Sequence, residues 1–460
     1  MSQHILKSFN LYQNIHFIGI GGIGISALAR ILAKDGHNIS GSDQSGGKNI
    51  DRLIQEGVPV KIGHHADSIP ADTSLVIYTP AMPEENVEMQ ASKRRKIPML
   101  SYPQAVGLLT QSYRSICVCG THGKTTTTAL LGLILKEAAL DPTVIVGSLL
   151  REFAGSNELL GHSDLLVLES CEYRDSFLNY SPQMVVLTNI DPEHLDYFGT
   201  AERYLDSFRI FLAKIPLSGL LVANGDDENI ALLLREKKHP FKVLTFGYGQ
   251  NNDYLIRENT IIEPDGTTSS LKLNIPGRHN LLNAAAAFIL AKYLKVQNQA
   301  ALTALQTFSG ASRRFEVKGQ LGKTTVIDDY GHAPAEIQAT LAAARERFGR
   351  TARILCVFQP HQYSRTYHFL NQFALSFDDA DKVLIPNIYR SRDSVEDMSK
   401  VSVDDLVTAL NRHRPALSEN TLNFPDTLNR IRSIYQNYDA ILTIGAGDIT
   451  KLSDDILNIR

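Results

Sequence analysis

Apolar and polar positions along this chain follow the pattern of parallel α/β domains. Short β-branched or apolar runs, which predict strands, are separated by longer stretches with the spacing of amphipathic helices. The pattern occurs in three successive segments, and small residues at 308–312 mark a hinge before the third. We therefore predict an α/β protein of three domains, covering residues 1–108, 109–310 and 311–460.

The boundaries of individual elements follow from the same pattern. In the first segment we predict strands at His16–Ile20, a run ending at Ser40–Asp43, Leu75–Tyr78 and Ile97–Leu100, then a helix and link at Tyr102–Ser115. In the second we predict strands at Ile116–Cys119, Asp164–Glu169, Met184–Ile190, Leu220–Ala223 and Lys242–Phe246, helices at Thr126–Ala139 and Ala284–Leu294, and a hairpin of Thr260–Glu263 with Ser270–Ile275. In the third we predict strands at Thr325–Asp328, Ile354–Phe358, Lys382–Pro386 and Ala440–Ile444, with a helix at Ala335–Phe348.

Composition narrows the class of protein. The 460 residues are 43% hydrophobic and 21% charged, with a formal charge of -3, which is typical of a globular chain. This charge gives no bulk attraction to nucleic acid or to an anionic membrane, so we expect neither as a partner. The chain has no apolar run of about 18 residues and its first ten residues lack a signal-peptide pattern, so we expect a cytoplasmic protein.

The four cysteines are too few for a disulfide framework in a chain of this length. Cys117 and Cys119 form a C-x-C pair without a second pair of ligands. We interpret them as small apolar side chains on one face of a buried strand rather than as a zinc site.

A first glycine-rich turn lies between the first predicted strand and helix. Gly19, Gly21, Gly22 and Gly24 fit G-x-G-x-x-G, in which the backbone can approach a diphosphate at a helix N-terminus. Asp43 ends the next strand, where its carboxylate could accept a hydrogen bond from a ribose hydroxyl. NAD, a UDP sugar, or a tight turn with no ligand all satisfy this pattern.

A second glycine-rich turn is more specific. It reads Gly120, Thr121, His122, Gly123, Lys124, Thr125, Thr126, between an apolar strand and a helix. Its amides form an anion nest, Lys124 can bridge two phosphates, and the Thr125 hydroxyl can bind Mg²⁺. Val118 stands where the full phosphate-loop pattern has glycine. We predict an ATP site here.

Further polar groups follow predicted strands, at sheet edges where ligands bind. Glu169 and His194 come after two strands of the second segment and are suited to holding cations next to ATP. In the third segment, four side chains at strand ends could orient a small carboxylate, and the guanidinium among them could bind it bidentately. These side chains belong to Tyr330, His332, His361 and Arg365. Arg314 lies just beyond the hinge, from which it could reach a γ-phosphate. A plain hydrogen-bonded loop cluster is the alternative for the third-segment set.

In this order and spacing, the chain resembles the Mur ligase family. The motifs that carry the resemblance are GIGGIG, GTHGKTTTT, PGRHNLLNAAAA, SRRFE, DDYGH, FQPH and GAGD, and they span nearly the whole sequence. The resemblance implies a Rossmann-like N-terminal domain that binds a UDP sugar, a central P-loop ATPase domain, and a Rossmann-like C-terminal domain for an amino acid.

The resemblance also implies a reaction. ATP phosphorylates the carboxylate of UDP-N-acetylmuramate, and the amine of L-alanine attacks the acyl phosphate, a step of peptidoglycan synthesis. It implies Lys124 at the transferred phosphoryl group, and Thr125, Glu169 and His194 around Mg²⁺, with Mn²⁺ as an alternative ion. Asn280 and Asn283 are implied near adenine, Arg314 at the phosphates, and the set Tyr330, His332, His361 and Arg365 around the amino acid, with His332 in a catalytic role.

Two positions depart from the family pattern. Ala333 stands where D-D-Y-x-H-H-P has a second histidine, and Gln362 where some members carry arginine. A ligase that adds a preformed tripeptide to the same nucleotide sugar therefore remains an alternative. A dehydrogenase would leave the phosphate loop without a purpose, and a non-catalytic nucleotide-binding protein would not need its intact lysine. The sequence does not determine the oligomeric state.

Overall fold

A computed structural model describes residues 7–236, 238–391 and 393–459. Most of the N-terminal decapeptide considered above, residues 1–6, lies outside the described residues. These described residues form three β-sheets, one in each predicted segment. None of the helices in the described ranges is long and apolar enough to cross a membrane.

The first sheet has the order β3-β2-β1-β4-β5, all parallel. Its strands are β1 Asn14–Ile18, β2 Asn38–Asp43, β3 Val60–Ile62, β4 Leu75–Tyr78 and β5 Met99–Ser101. Its helices are α1 Ile23–Lys34, α2 Lys48–Gln55, α3 Val87–Arg94 and α4 Tyr102–Gln111, with 3₁₀ turns at Lys7–Phe9 and Ala66–Ser68. The predicted strand at 16–20 instead ends at Ile18, because Gly19 has φ +79° and turns the chain.

The second sheet has the order β15-β14-β13-β12-β11-β10-β6-β9-β7-β8. Its strands are β6 Arg114–Cys119, β7 Thr143–Leu150, β8 Ser156–Leu159, β9 Leu165–Glu169, β10 Met184–Leu187, β11 Leu220–Asn224, β12 Lys242–Gly247, β13 Tyr254–Arg257, β14 Thr260–Ile262 and β15 Thr268–Ser270. Its helices are α5 Lys124–Glu137, α6 Leu195–Phe198, α7 Ala201–Leu212, α8 Glu228–Glu236, α9 Arg278–Tyr293 and α10 Asn298–Thr307, with 3₁₀ turns at Arg151–Phe153 and Tyr173–Asn179.

The third sheet has the order β16-β17-β21-β18-β19-β20, parallel except for β16. Its strands are β16 Glu316–Leu321, β17 Thr324–Asp329, β18 Ile354–Phe358, β19 Lys382–Ile385, β20 Ser418–Asn420 and β21 Ala440–Ile444. Its helices are α11 Pro334–Phe348, α12 Tyr363–His368, α13 Leu370–Ala374, α14 Val395–Lys400, α15 Val403–His413, α16 Phe424–Ile434 and α17 Ile449–Leu457, with a 3₁₀ turn at Tyr435–Asn437.

The hairpin predicted in the second segment is present, but its second strand was placed wrongly. β14 and β15 pair antiparallel from Ile262 and Thr268, so pairing resumes directly after the turn rather than at 270–275. The Glu263 amide donates to the Thr267 carbonyl and closes the turn tightly, which leaves no loop before β15. The β7–β8 hairpin and the antiparallel edge strand β16 were not predicted.

The chain divides into two compact units. The first takes in the described residues up to Lys272 together with Leu281–Phe308, and so holds the first two sheets; the second takes in Leu273–Asn280 and the described residues from Ser309 onward. In the first unit, one apolar core continues from α1 and α4 into β6, β9 and β10. The α/β fold class is confirmed, while the domain limits at 108 and 310 stay predictions.

Candidate functional site

The N-terminal glycine loop follows β1 and borders an open cavity. The cavity has a volume of about 540 Å³ and is lined by Gly19, Gly21, Gly22 and Asp43 among other residues. The Gly21 amide donates to Asp43 Oδ2 at 2.8 Å, so this carboxylate also holds the loop in place. Three of the four predicted loop glycines and Asp43 therefore meet at one cavity.

Gly24, the fourth predicted glycine, has a different role. A side chain built on it would begin 2.5 Å from the Tyr102 hydroxyl. Burial raises the pKa of this phenol, and the carboxylate of Glu169 raises it further, so it stays protonated. Gly24 thus permits the start of α4 to pack closely against α1.

A buried polar cluster supports the wall of the same cavity. Glu88 is fully buried and accepts hydrogen bonds from Ser42 at 2.7 Å, His64 at 3.1 Å and His16 at 3.2 Å. Burial alone would raise the pKa of Glu88, but these hydrogen bonds outweigh it and lower the pKa below 4.5. His64 lines the cavity, so Glu88 fixes the orientation of a cavity side chain.

The second glycine loop connects β6 to α5. Gly120 has φ +129° and Gly123, the residue that caps α5, has φ +81°. The loop is held by its neighbours: the Thr121 hydroxyl contacts Tyr204 Oη at 2.8 Å, and the His122 amide donates to Asn189 Oδ1 at 2.8 Å. The loop is therefore pre-formed, with its amides at a helix N-terminus, as an anion site requires.

Lys124 is the main positive charge of this loop. Its ammonium donates to the carbonyls of Gly120 at 2.6 Å and Thr121 at 2.8 Å, and lies 3.0 Å from Glu172 Oε2. Burial alone would lower the pKa of Lys124, but the charge and hydrogen bond of Glu172, together with the nearby Cys171 and Glu169, outweigh burial and raise the pKa. Lys124 is therefore charged, and Glu172, to which we assigned no role, is its counter-ion.

Thr125 and Glu169 lie side by side, as the prediction of a metal site requires. The Thr125 hydroxyl donates to Glu169 Oε1 at 2.9 Å, and the Gly147 amide donates to Glu169 Oε2 at 2.6 Å. Among the described residues, His, Cys, Asp and Glu form no cluster of three or more that could hold a metal by itself. A hydroxyl and a carboxylate nevertheless fit Mg²⁺, which typically keeps few protein ligands and takes others from phosphates and water.

The other residues assigned to the ATP region have the following positions. Thr126 is buried in the first turn of α5. A side chain on Gly123 would collide with Asn283 Oδ1, so Asn283 lies against the phosphate loop. The His194 ring packs on Tyr173 with centroids 4.6 Å apart, and Asn280 donates to the Pro276 carbonyl at 2.6 Å. The metal role of His194 and the adenine role of both asparagines stay predictions.

The C-terminal set comes together in the second unit. Tyr330 and His332 have ring centroids 5.4 Å apart, His332 and His361 are 6.0 Å apart, and Arg365 Nη1 lies 3.4 Å from His361 Nδ1. Burial, together with the charge of Arg365, lowers the pKa of His332 to about 3, although Glu336 opposes the shift. His332 is therefore neutral at physiological pH.

Arg314 lies beside this set. Its guanidinium is 5.2 Å from the Tyr330 ring centroid and 4.0 Å from Glu336 Oε1. Arg313, the preceding residue, is 3.4 Å from the buried Asp328 carboxylate and packs on the same ring at 4.9 Å. Arg313 thus anchors this segment to the third sheet, while Arg314 is the half-exposed arginine of the pair.

Sequence reasoning missed three residues of these sites. They are Glu172, Gly147 and Tyr389, whose ring stacks on His361 at 5.5 Å. Glu172 is the one with a signal in the sequence, because it is a second carboxylate that follows Glu169 after β9. The structure shows that it is buried, which its pairing with the Lys124 ammonium makes tolerable. Cys117 and Cys119 are both buried on the core side of β6, as we expected for apolar side chains.

Comparisons with known proteins agree along the whole chain. Three family profiles match: "Mur ligase family, catalytic domain" at residues 14–114, "Mur ligase middle domain" at 118–291, and "Mur ligase, glutamate ligase domain" at 313–447. A UDP-N-acetylmuramate–L-alanine ligase of Caldanaerobacter subterraneus is 39% identical, with 97% of each chain covered. The ligase of the same name from Clostridium acetobutylicum is 37% identical, with 98% of each covered.

Solved structures show the same similarity. The UDP-N-acetylmuramate-alanine ligase MurC of Thermotoga maritima superposes with a TM-score of 0.78 at 28% identity, covering 97% of this chain and 98% of that one. A murein peptide ligase of Psychrobacter arcticus has the same fold, with a TM-score of 0.72 at 23% identity and the same coverage.

Proposed function

We propose that this chain, which belongs to the Mur ligase family, joins L-alanine to the carboxylate of UDP-N-acetylmuramate while converting ATP to ADP and phosphate. The observation that carries the proposal is the pre-formed phosphate loop, with Lys124 and Thr125 facing two carboxylates. It occurs in a chain that matches ligases of this name over nearly its full length. The reaction is an early step of peptidoglycan precursor synthesis.

The first step is transfer of the γ-phosphoryl group. A carboxylate oxygen of the muramoyl group attacks the γ-phosphorus, and the bond to the β-phosphate oxygen breaks with its electron pair left on ADP. ATP and a carboxylate are both anionic, so they must be neutralised before they can approach in line. Lys124 and the amides of residues 120–126 supply this neutralisation, and Arg314 is proposed to join them.

Thr125 and Glu169 would hold Mg²⁺ or Mn²⁺, with His194 as a further proposed ligand. When bound, the ion neutralises phosphate charge. Without ATP, the Lys124 ammonium is paired with the Glu172 carboxylate at 3.0 Å. ATP therefore competes with Glu172 for the ammonium.

The second step is attack of the L-alanine amine on the acyl phosphate. Phosphate leaves with the electron pair of the carbon–oxygen bond, and the nitrogen loses a proton. Arg365 is proposed to bind the L-alanine carboxylate, with Tyr330 and His361 around it. Because its pKa is about 3, His332 is suited to accept a hydrogen bond from the amine and orient it, rather than to carry the proton away.

The two departures from the family pattern lie in this acceptor region. Ala333 is the residue that caps α11, and Gln362, with φ +73°, is the residue that caps α12. Neither carries a charge, so Arg365 is the cation that we assign to the acceptor carboxylate. We infer that a small acceptor with one carboxylate fits this site.

The test is phosphate release from ATP and UDP-N-acetylmuramate with different acceptors. L-alanine, glycine, L-serine and L-Ala-γ-D-Glu-diaminopimelate are compared, with product masses measured. We expect the highest kcat/KM with L-alanine. Turnover with the tripeptide alone would contradict the proposed acceptor while leaving the ATP chemistry intact.

A further inference from the structure

The β7–β8 hairpin links the two glycine loops of the first unit. Asn157 on β8 is 1% exposed, and its side-chain amide donates to the Ile23 carbonyl at 2.7 Å and to the Val146 carbonyl at 3.2 Å. Ile23 is the first residue of α1, directly after Gly22. One buried side chain therefore joins the end of the N-terminal loop to β7.

On β7, the residue after Val146 reaches the proposed metal site. The Gly147 amide donates to Glu169 Oε2 at 2.6 Å, and Glu169 Oε1 accepts from Thr125 at 2.9 Å. A side chain on Gly147 would begin 2.8 Å from Glu169 Oε2, so there is little room for this contact to change. The path from the nucleotide-sugar loop to the phosphate loop is thus continuous and short.

A second link runs parallel to the first. Arg30 of α1 is 4% exposed and donates to Glu158 Oε2, the neighbour of Asn157, at 3.4 Å. It also donates to the Asn49 backbone carbonyl at 3.3 Å, and Nδ2 of the Asn49 side chain donates to the Gly21 carbonyl at 2.9 Å. Asn157 and Arg30, both buried, therefore connect the hairpin with the loop on which the UDP sugar is proposed to bind.

We propose that Asn157 and Arg30 are positioning residues for phosphoryl transfer. They hold the N-terminal loop at a set distance from Glu169 and Thr125, so that a UDP-linked carboxylate anchored at one loop meets the γ-phosphate anchored at the other. This inference rests on the proposed function. A misplacement of about 1 Å costs such a reaction on the order of 100-fold in rate, so the link acts on the chemical step.

The experiment follows the first turnover in the absence of L-alanine. Radiolabelled ATP in excess over enzyme is mixed with UDP-N-acetylmuramate and Mg²⁺ and quenched in acid at intervals, and the burst of ADP formed in the first turnover is measured. The amplitude reports the fraction of enzyme that is folded and binds both substrates. The rate constant reports alignment of the two reactants, and a purely structural role would leave it unchanged.

Three variants are compared with the unsubstituted chain. Asn157→Ala removes both hydrogen bonds that the Asn157 side chain donates. Arg30→Lys keeps a positive charge near Glu158 but removes the guanidinium nitrogen that donates to the Asn49 carbonyl. Lys34→Ala is the control, because Lys34 also donates from α1 to the chain after β8, at the Leu160 carbonyl, but from the opposite end of the helix to the glycine loop. We expect the first two to lower the rate constant by about 10- to 100-fold at nearly constant amplitude, and the control to change neither.

Each outcome is decisive. Unchanged rate constants in Asn157→Ala and Arg30→Lys would overturn the inference, and so would a loss confined to amplitude in both. If Asn157→Ala gives no amplitude because it does not fold, the rate constant of Arg30→Lys decides. If the unsubstituted chain forms no ADP that depends on UDP-N-acetylmuramate, the proposed function is wrong and the inference fails with it.

Discussion

The two glycine-rich loops of the first unit look alike in sequence but differ in structure. Each leads from a parallel strand to a helix, and each has glycine as the residue that caps the helix. Gly22, which caps α1, has φ -62° and ψ 146°, an extended conformation open to most residues. Gly123, which caps α5, has φ +81° and faces Asn283, so backbone and space both require glycine there.

The loops also differ in charge. The central loop contains Lys124, whose counter-ion Glu172 is already in place. The N-terminal loop contains no charged residue, and the neighbouring Asp43 carboxylate holds the Gly21 amide. One loop is therefore built around its own charge pair and the other around an open cavity. Similar glycine spacing does not imply a similar binding mechanism.

The largest effect is expected for Lys124→Ala. Removing this ammonium removes the main positive charge at the transferred phosphoryl group, so turnover should fall by about 100- to 1,000-fold. UDP-N-acetylmuramate binding, measured by calorimetry, should persist because the N-terminal loop is untouched. Lys136→Ala, in the last turn of the same helix, is the matched control and should be near normal. Near-normal turnover of Lys124→Ala would contradict the phosphate-loop assignment.

The glycines at the two helix caps provide a direct test of the comparison. Gly123→Ala places an alanine in a left-handed conformation, which costs about 1–2 kcal/mol before the collision with Asn283 is counted. Gly22→Ala should cost less than about 1 kcal/mol, since its backbone is extended and its nearest neighbour, an Ile25 methyl, is 3.1 Å away. Urea unfolding measures both. Equal losses in the free energy of unfolding would show that the two loops do not differ in their need for glycine.

A smaller effect is expected where the N-terminal loop meets α4. Gly24→Ala should reduce the free energy of unfolding by about 1 kcal/mol, because crowding against Tyr102 exceeds the gain in helix propensity. Adding Tyr102→Phe removes the nearest atom and should recover part of the loss. A double-mutant cycle by thermal unfolding measures this coupling. Strictly additive effects would argue against the close contact.

The smallest effect concerns pH and the cluster beneath the cavity. The pKa of Glu88 is lowered in the folded chain, so its stabilising contribution is present above the unfolded pKa and is lost as the pH falls through the folded pKa. The difference in free energy of unfolding between the unsubstituted chain and Glu88→Gln should be constant above about pH 5 and shrink below it. Chemical unfolding at several pH values measures this difference. A difference in free energy of unfolding that grew at acidic pH would contradict the lowered pKa of Glu88.

Much of the fold could be predicted because it rests on short apolar runs. The strands Leu75–Tyr78, Ile354–Phe358 and Ala440–Ile444 have the predicted bounds, since they are largely buried and sharply limited by polar residues. β16 was missed because polar residues alternate along it and its pairing shifts register between Val317 and Gly319. The sequence pattern of a partly buried, irregular edge strand does not distinguish it from a loop.

The sequence by itself determined the three α/β segments, the two glycine loops and the kinds of side chain that end each strand. These depend on local periodicity and on residue types that only particular turns accept. Tertiary structure decided which groups meet: Lys124 with Glu172, Glu169 with Gly147, and His332 with Arg365. Strand order places these partners together and burial sets their charge, and neither can be read from spacing along the chain.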